Sequence, residues 1–214
     1  MFGQCELCRS FFIDKFEENV VDGNVNITWS QWTNENGRAE KKEFSGSVDE
    51  AVVLLKSKVD GFLFHVFIKR RQSKYFEKLK TEVTDEKIVM QVDFAENFIM
   101  KEKDEIQKAH WNTKPLSIFI AFLWSRSKTF SYALPSLDVI HDKFVVSSAL
   151  EIILNHLESV ISNVKEINCF FGGAASQLKQ RFHFRNLVRI ANERRIDSSW
   201  HFFATSHGKS VVDG

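Results

Sequence analysis

The acidic residue best placed for chemistry is Asp93, at the end of a short apolar segment. Ile88, Val89, Met90 and Val92 give four apolar residues in six, a density typical of a short strand buried on both faces. Asp93 falls where such a strand leaves its sheet, and a carboxylate there commonly binds a cation, or a phosphate through one. Capping of a turn is the alternative. The pattern therefore predicts a cation ligand or a turn cap.

A second group with chemical potential is the Cys-x-x-Cys pair of Cys5 and Cys8, which has the spacing of half a zinc site. No second such pair and no His-x3-His motif follows; the pair is interpreted either as zinc ligands or as two free thiols. The chain has three cysteines, an odd number that disfavours a disulfide framework and favours a reducing compartment. Because the first residues also lack the pattern of a secretion signal, we expect a nuclear or cytoplasmic protein that is not secreted.

The composition limits the possible partners. With 214 residues the chain is long enough for one full-sized domain, or for a domain with a smaller appendage. The 29 basic and 28 acidic residues leave a net charge of +1, so any polyanion must be bound by a local patch. The longest apolar run, residues 116–124, is about half the length of a membrane-spanning helix. We therefore expect no membrane partner.

The order of predicted elements indicates the fold class. Residues 1–82 are predicted to form a small α+β region, in which a hairpin over residues 25–44 precedes two helices separated at Gly61. The core, residues 83–214, contains three strands in a row and then alternates helices with strands. Its elements are strands near 87–93, 116–124 and 129–134, a helix at 142–161, a strand at 166–171, a helix at 176–195 and a strand at 199–205. We therefore predict a mixed α/β sheet flanked by helices, in the element order of the ribonuclease H-like fold.

Several motifs occur in one order from Gln91 to the end of the sequence. They are QVDFAEN at 91–97, DEIQ at 104–107, HW at 110–111, GAASQ at 173–177, WHFFATSHGK at 200–209 and DG at 213–214. As a set they resemble a family of transposon-derived proteins with a DDE-type transposase core, and residues 29–75 resemble that family's leader. The resemblance covers most of residues 89–214.

This resemblance implies metal-dependent cleavage and joining of DNA strands. Such cores use two Mg²⁺ ions, about 4 Å apart, which several converging carboxylates hold. The first acid of the family falls on Asp93, the second falls on Gly172, and Asp213 is the candidate for the third. We expect Asp93 and Gly172 at adjacent strand ends of one mixed sheet. Mg²⁺ or Mn²⁺ is the implied ancestral cofactor, bound weakly if at all because Gly172 supplies no ligand. We therefore expect a catalytically degenerate relative of the transposases, because the second acid is Gly172 and because the core is truncated at its C-terminus, so that the helix expected after Asp213 is missing.

Two basic groups are candidates for contact with DNA, the partner that the resemblance implies. Arg181, Arg185 and Arg189 lie four residues apart, so they share one side of the predicted helix. His207 and Lys209 follow the last predicted strand, where they could contact a phosphate or simply form a polar turn. The alternative to a degenerate enzyme is a non-catalytic module that binds nucleic acid or another protein. A homo-oligomer is compatible with both hypotheses.

Overall fold

A computed structural model of the protein describes residues 14–15, 18–95, 97–99, 115–172 and 181–204. The chain divides into two compact units, Met1–Ile68 and Lys69–Gly214. Each unit has its own architecture, and only the second contains buried hydrophobic residues among those described.

The first unit contains the predicted hairpin. Strands β1 (Asn26–Glu35) and β2 (Arg38–Ser47) pair antiparallel along their whole length. The turn between them is Asn36-Gly37, and both residues have positive φ, at 51° and 80°. Asn-Gly is the preferred sequence for the two-residue turn that matches the twist of paired strands. The hairpin prediction is therefore confirmed.

Helix α1 (Val48–Thr81) begins at a capping box formed by Ser47 and Glu50. The Ser47 backbone N–H donates to Glu50 Oε2 at 2.9 Å, and the Glu50 N–H donates to Ser47 Oγ at 3.2 Å. The prediction of two helices separated at Gly61 is wrong, because α1 is continuous through that residue. A glycine inside a helix costs about 1 kcal/mol relative to alanine, and a single cost of this size does not end the helix.

The second unit is built on a mixed sheet flanked by helices, as predicted. Its strands run in the spatial order β6-β5-β3-β7-β8, and β4 pairs with the start of β5. Strands β3, β5 and β6 are antiparallel neighbours, whereas β7 and β8 run parallel to β3. The bounds are β3 Lys87–Phe94, β4 Phe98–Ile99, β5 Pro115–Trp124, β6 Thr129–Ser136, β7 Glu166–Phe171 and β8 Asp197–Phe202, with α2 Lys143–Val160 and α3 Arg181–Arg194.

The core lies on both faces of this sheet. One face packs against α2 and α3 through apolar residues that include Met90, Val92, Phe119, Ile153 and Ile190. The other face packs against the second half of α1, where Phe76 and Leu79 contact Val89 and Phe170. Because both faces are covered, residues 88–92 are all buried, which confirms the interpretation of the apolar segment before Asp93. No described helix is both long enough and apolar enough to cross a membrane.

Candidate functional site

Asp93 and Gly172 lie side by side at one end of the sheet. In the parallel pair of β3 and β7 the last matched residues are Val92 and Phe171, and Asp93 and Gly172 come next on their strands. Both are therefore at the carboxyl ends of adjacent parallel strands, the usual position of a ligand site in an open α/β sheet. Their predicted adjacency is confirmed.

The Asp93 side chain is half-buried on the α1 face of the sheet. Alternation along β3 places it on the same face as Val89, which packs against α1. Its Oδ1 accepts a hydrogen bond from the Phe94 N–H at 2.8 Å. Its backbone still pairs with Ile120 of β5, so Asp93 belongs to the strand and not to the turn that follows.

The described part of the chain does not by itself assemble the implied metal centre. Gly172 brings no side-chain donor, and no three His, Cys, Asp or Glu side chains among the described residues lie close enough to hold an ion. Asp213, His207, Lys209, Cys5 and Cys8 lie outside the described residues. One carboxylate beside a glycine does not fit a centre that holds two divalent ions between converging acids.

A row of hydrogen-bonded side chains crosses β7 and β8 on the α1 face. Lys87 Nζ pairs with Glu166 Oε1 at 3.2 Å, and Asn168 Nδ2 donates to Glu166 Oε1 at 2.8 Å. Ser199 Oγ donates to Asn168 Oδ1 at 2.7 Å and lies 3.0 Å from His201 Nε2. Sequence reasoning missed this row, although polar residues at alternate positions of apolar strands could have indicated it.

The direction of these hydrogen bonds shows what the Ser199-His201 pair can do. Ser199 has one hydroxyl proton and gives it to Asn168, whose orientation is fixed because its amide donates to Glu166. The contact with His201 must then use a proton on Nε2, so the imidazole donates to Ser199 and does not act as its base. The Ser199-His201 contact is therefore a structural one within β8, which Asn168 ties to β7, and the pair is not arranged as an activated nucleophile.

The charges of the row are set by its neighbours. The hydrogen bond from Asn168, together with Lys87, holds the pKa of Glu166 below its usual range. Burial lowers the pKa of His201, whose ring stacks on Phe170 with centroids 4.6 Å apart and contacts the edge of Tyr75. The row thus combines a carboxylate held in its charged form with an imidazole held in its neutral form.

Gln72 of α1 fixes the end of β8. Its Nε2 donates to the Phe202 carbonyl at 2.7 Å, and its Oε1 accepts from the Ala204 N–H at 2.6 Å. These two bonds imitate the pairing of another strand at the point where β8 leaves the sheet. The carboxyl end of β8 is therefore positioned by α1 as well as by β7.

On the opposite face, His183 is buried in an apolar setting. Its side chain is 1% exposed, and neither ring nitrogen has a hydrogen-bond partner among the described residues. Burial lowers its pKa to about 4. The ring meets Trp200 edge-on with centroids 4.8 Å apart. The residue was not singled out from the sequence, where it looks like one polar position of a basic helix.

The predicted arginine group is exposed on α3, with different surroundings for each member. Arg189 pairs with Glu193 at 2.7 Å and also donates to Asn186. The guanidinium of Arg181 lies 5.3 Å from the ring centre of Phe182. Arg185 forms no ion pair with any described residue. It is therefore the member of the group with most freedom to bind an added anion.

The protein is a mixed α/β protein with a five-stranded main sheet. A family model described as a domain of unknown function (DUF8701) matches residues 72–214, two thirds of the chain. The chain therefore belongs to this family. The match begins in the second half of α1 and includes the whole sheet. No curated protein and no solved structure matches the chain.

Proposed function

We propose that the protein is a degenerate relative of the DDE transposases, which keeps their ribonuclease H-like core but does not cut or join DNA strands. The observation that carries the proposal is the position of Asp93 beside Gly172 at the carboxyl ends of β3 and β7. The sequence resemblance assigns the first and second acids of the family to these two positions. Their adjacency is what a shared metal site requires.

The strand order supports the fold part of the proposal. Three antiparallel strands are followed by two strands that run parallel to the first, each preceded by a helix. The first strand is central, with β5 on one side and β7 on the other. This is the arrangement expected of a ribonuclease H-like core. The match to DUF8701, a domain of unknown function, carries no information about activity.

The loss of activity follows from the chemistry of position 172. A carboxylate ligand to a catalytic metal supports several kcal/mol of transition-state stabilisation, so its loss costs on the order of 10³-fold in rate. Glycine has no side chain with which to replace it. We therefore expect the native protein to catalyse no DNA strand transfer, although it retains Asp93.

The test is to restore the missing acid and measure metal binding. Adjacent strands lie about 4.8 Å apart, so carboxylates at positions 93 and 172 are close enough to share one cation. Gly172→Asp should raise Mn²⁺ affinity about tenfold or more, measured by calorimetry. Adding Asp93→Asn to this variant should return the affinity to that of the native protein.

The matched control is Ser131→Asp, which adds an equal charge at an exposed position in the middle of β6. It should leave Mn²⁺ affinity unchanged. Equal weak affinity in the native protein, Gly172→Asp and the double variant would mean that the two positions do not share a metal. The transfer of catalytic roles to Asp93 and Gly172 would then have to be withdrawn.

The second candidate function is a non-catalytic module that binds nucleic acid, favoured by the exposed arginines of α3. The net charge of +1 gives no global attraction to DNA. Binding therefore depends on a local patch, and Arg181 and Arg185 are its best members because neither forms an ion pair with a described residue. This function requires no metal and is compatible with Gly172.

A further inference from the structure

The first half of α1 carries apolar residues at alternating intervals of three and four. We call this set the valine seam, and it consists of Val52, Leu55, Val59, Phe62 and Val66. The interval of 3.5 residues on average is that of a heptad repeat, in which such positions form one stripe along the helix. Val48, four residues before Val52, extends the stripe to the first residue of α1.

The valine seam is accessible to a partner. Residues 48–68 are all described and none of them is buried, whereas the second half of α1 buries Phe76 and Leu79. Leu55 is 44% exposed and Phe62 is 63% exposed, whereas Val52, Val59 and Val66 are half-buried. A helix with a continuous apolar stripe is stable in water when something covers that stripe. The family match begins at residue 72, so the seam lies outside the part of the chain that defines the family.

We propose that the valine seam binds the same seam of a second copy of this chain, forming a parallel two-stranded coiled coil. The residue types identify the partner. Valine occupies every a position (Val52, Val59 and Val66) and Leu55 a d position, which is the combination that favours two parallel strands. Val48 and Phe62 fill the other two d positions. The stripe is also complementary to itself, as a two-fold symmetric interface requires.

The charges beside the seam favour the parallel arrangement. Lys56 and Lys58 occupy the e and g positions of the central heptad. In a parallel pair Lys58 of one helix lies beside Leu63 of the other, so no like charges meet. In an antiparallel pair centred on the seam, the lysines of the two copies would lie opposite each other, which is destabilising.

The size of the seam sets the expected strength of association. Residues 48–66 extend over about 28 Å of helix. Five apolar side chains from each copy, at roughly 100 Å² each, bury on the order of 1,000 Å² in total, which is near the lower limit for a specific interface. The dimer should therefore be concentration-dependent, and monomer and dimer should both be measurable in the micromolar range. This inference does not depend on the proposed function.

The test compares two pairs of substitutions in the full chain by sedimentation equilibrium. Leu55→Lys combined with Phe62→Lys places two cations in the seam and should raise the dimer dissociation constant on the order of 100-fold. Val53→Lys combined with Phe64→Lys is the matched control, because these residues are 67% and 58% exposed on the same helix but outside the seam. The control should associate as the native protein does.

We expect every variant to fold, because all four substituted side chains are exposed in the native protein. Circular dichroism of each variant checks this. A native protein that stays monomeric up to hundreds of micromolar would overturn the proposal. Equal weakening by both pairs, or weakening by the control pair alone, would overturn it too, since the contact would then not follow the heptad.

A cysteine at one a position tests the orientation. Val52→Cys, in a background with Cys5→Ser and Cys8→Ser, should form a disulfide between two copies on mild oxidation, because equivalent a positions meet across a parallel pair. The remaining Cys169 is buried. If Val52→Cys protein instead crosslinks only when mixed with Phe62→Cys protein, the helices are antiparallel and the parallel arrangement is wrong.

Discussion

His183 couples the stability of the core to pH. A buried imidazole with no hydrogen-bond partner among the described residues is held neutral, and its pKa is lowered to about 4 from 6.5. The unfolded chain binds this proton first as the pH falls. The stabilisation is therefore fully present above about pH 6.5 and is lost progressively as the pH falls toward 4.

Replacing the imidazole should remove this dependence. We expect the native protein to lose on the order of 2 kcal/mol more unfolding free energy between about pH 7.5 and pH 5 than His183→Phe or His183→Leu does. Near pH 7.5 the variants should be as stable as the native protein or more so, because each removes two unsatisfied polar atoms. Urea unfolding of all three proteins at both pH values measures the differences. The same loss in native and variant proteins would show that His183 does not titrate in this range.

Single residues differ in how far the sequence alone predicted them. The order of the predicted elements indicates that Asp93 and Gly172 are adjacent, because each follows a strand that is readable from its apolar residues. The sequence did not predict the row of hydrogen bonds that joins Glu166, Asn168, Ser199 and His201. This row depends on the parallel register of β7 with β8. Residues about 30 apart are brought together by that register, and local patterns do not contain it.

At the scale of elements, helix α3 offers a test of nucleic-acid binding. Each phosphate contact that is lost should lower the salt slope of binding by about one. Arg185→Ala should show this change with a labelled duplex, whereas Arg189→Ala should show less because Glu193 already pairs with Arg189. Glu193→Gln serves as the opposite change and should strengthen binding. Identical salt slopes for the native protein and Arg185→Ala would mean that the arginines only solvate the helix.

Helix α1 shows where local sequence signals fail at this scale. Gly61 resembles a helix stop, since glycine commonly follows the last turn of a helix. Its backbone is not left-handed, and a Cβ added there would meet no atom within 4 Å, so neither a turn nor close packing requires the glycine. By contrast, the helix predicted at residues 142–161 is present as Lys143–Val160, and it begins where Asp142 accepts from the Phe144 and Val145 N–H groups. A cap that makes specific hydrogen bonds is a stronger boundary signal than a single glycine.

At the scale of the whole chain, buried hydrophobic residues are distributed unequally between the two units. Every buried hydrophobic residue among those described lies at or after Phe76. The hairpin and the first half of α1 therefore depend on hydrogen bonds and on the valine seam, and local opening there should cost less than opening of the sheet.

Hydrogen exchange measured at two protein concentrations tests this difference. Amides of β3 and β7 should be the most protected, because both strands are central and their residues 88–92 and 167–171 are buried. Amides of residues 52–66 should be weakly protected in dilute protein and more protected in concentrated protein, since a second copy then covers the seam. The Leu55→Lys and Phe62→Lys double variant should lose the concentration dependence and keep the protection of the sheet. Strong protection of residues 52–66 at every concentration would contradict both the low local stability of this segment and its stabilisation by a second copy.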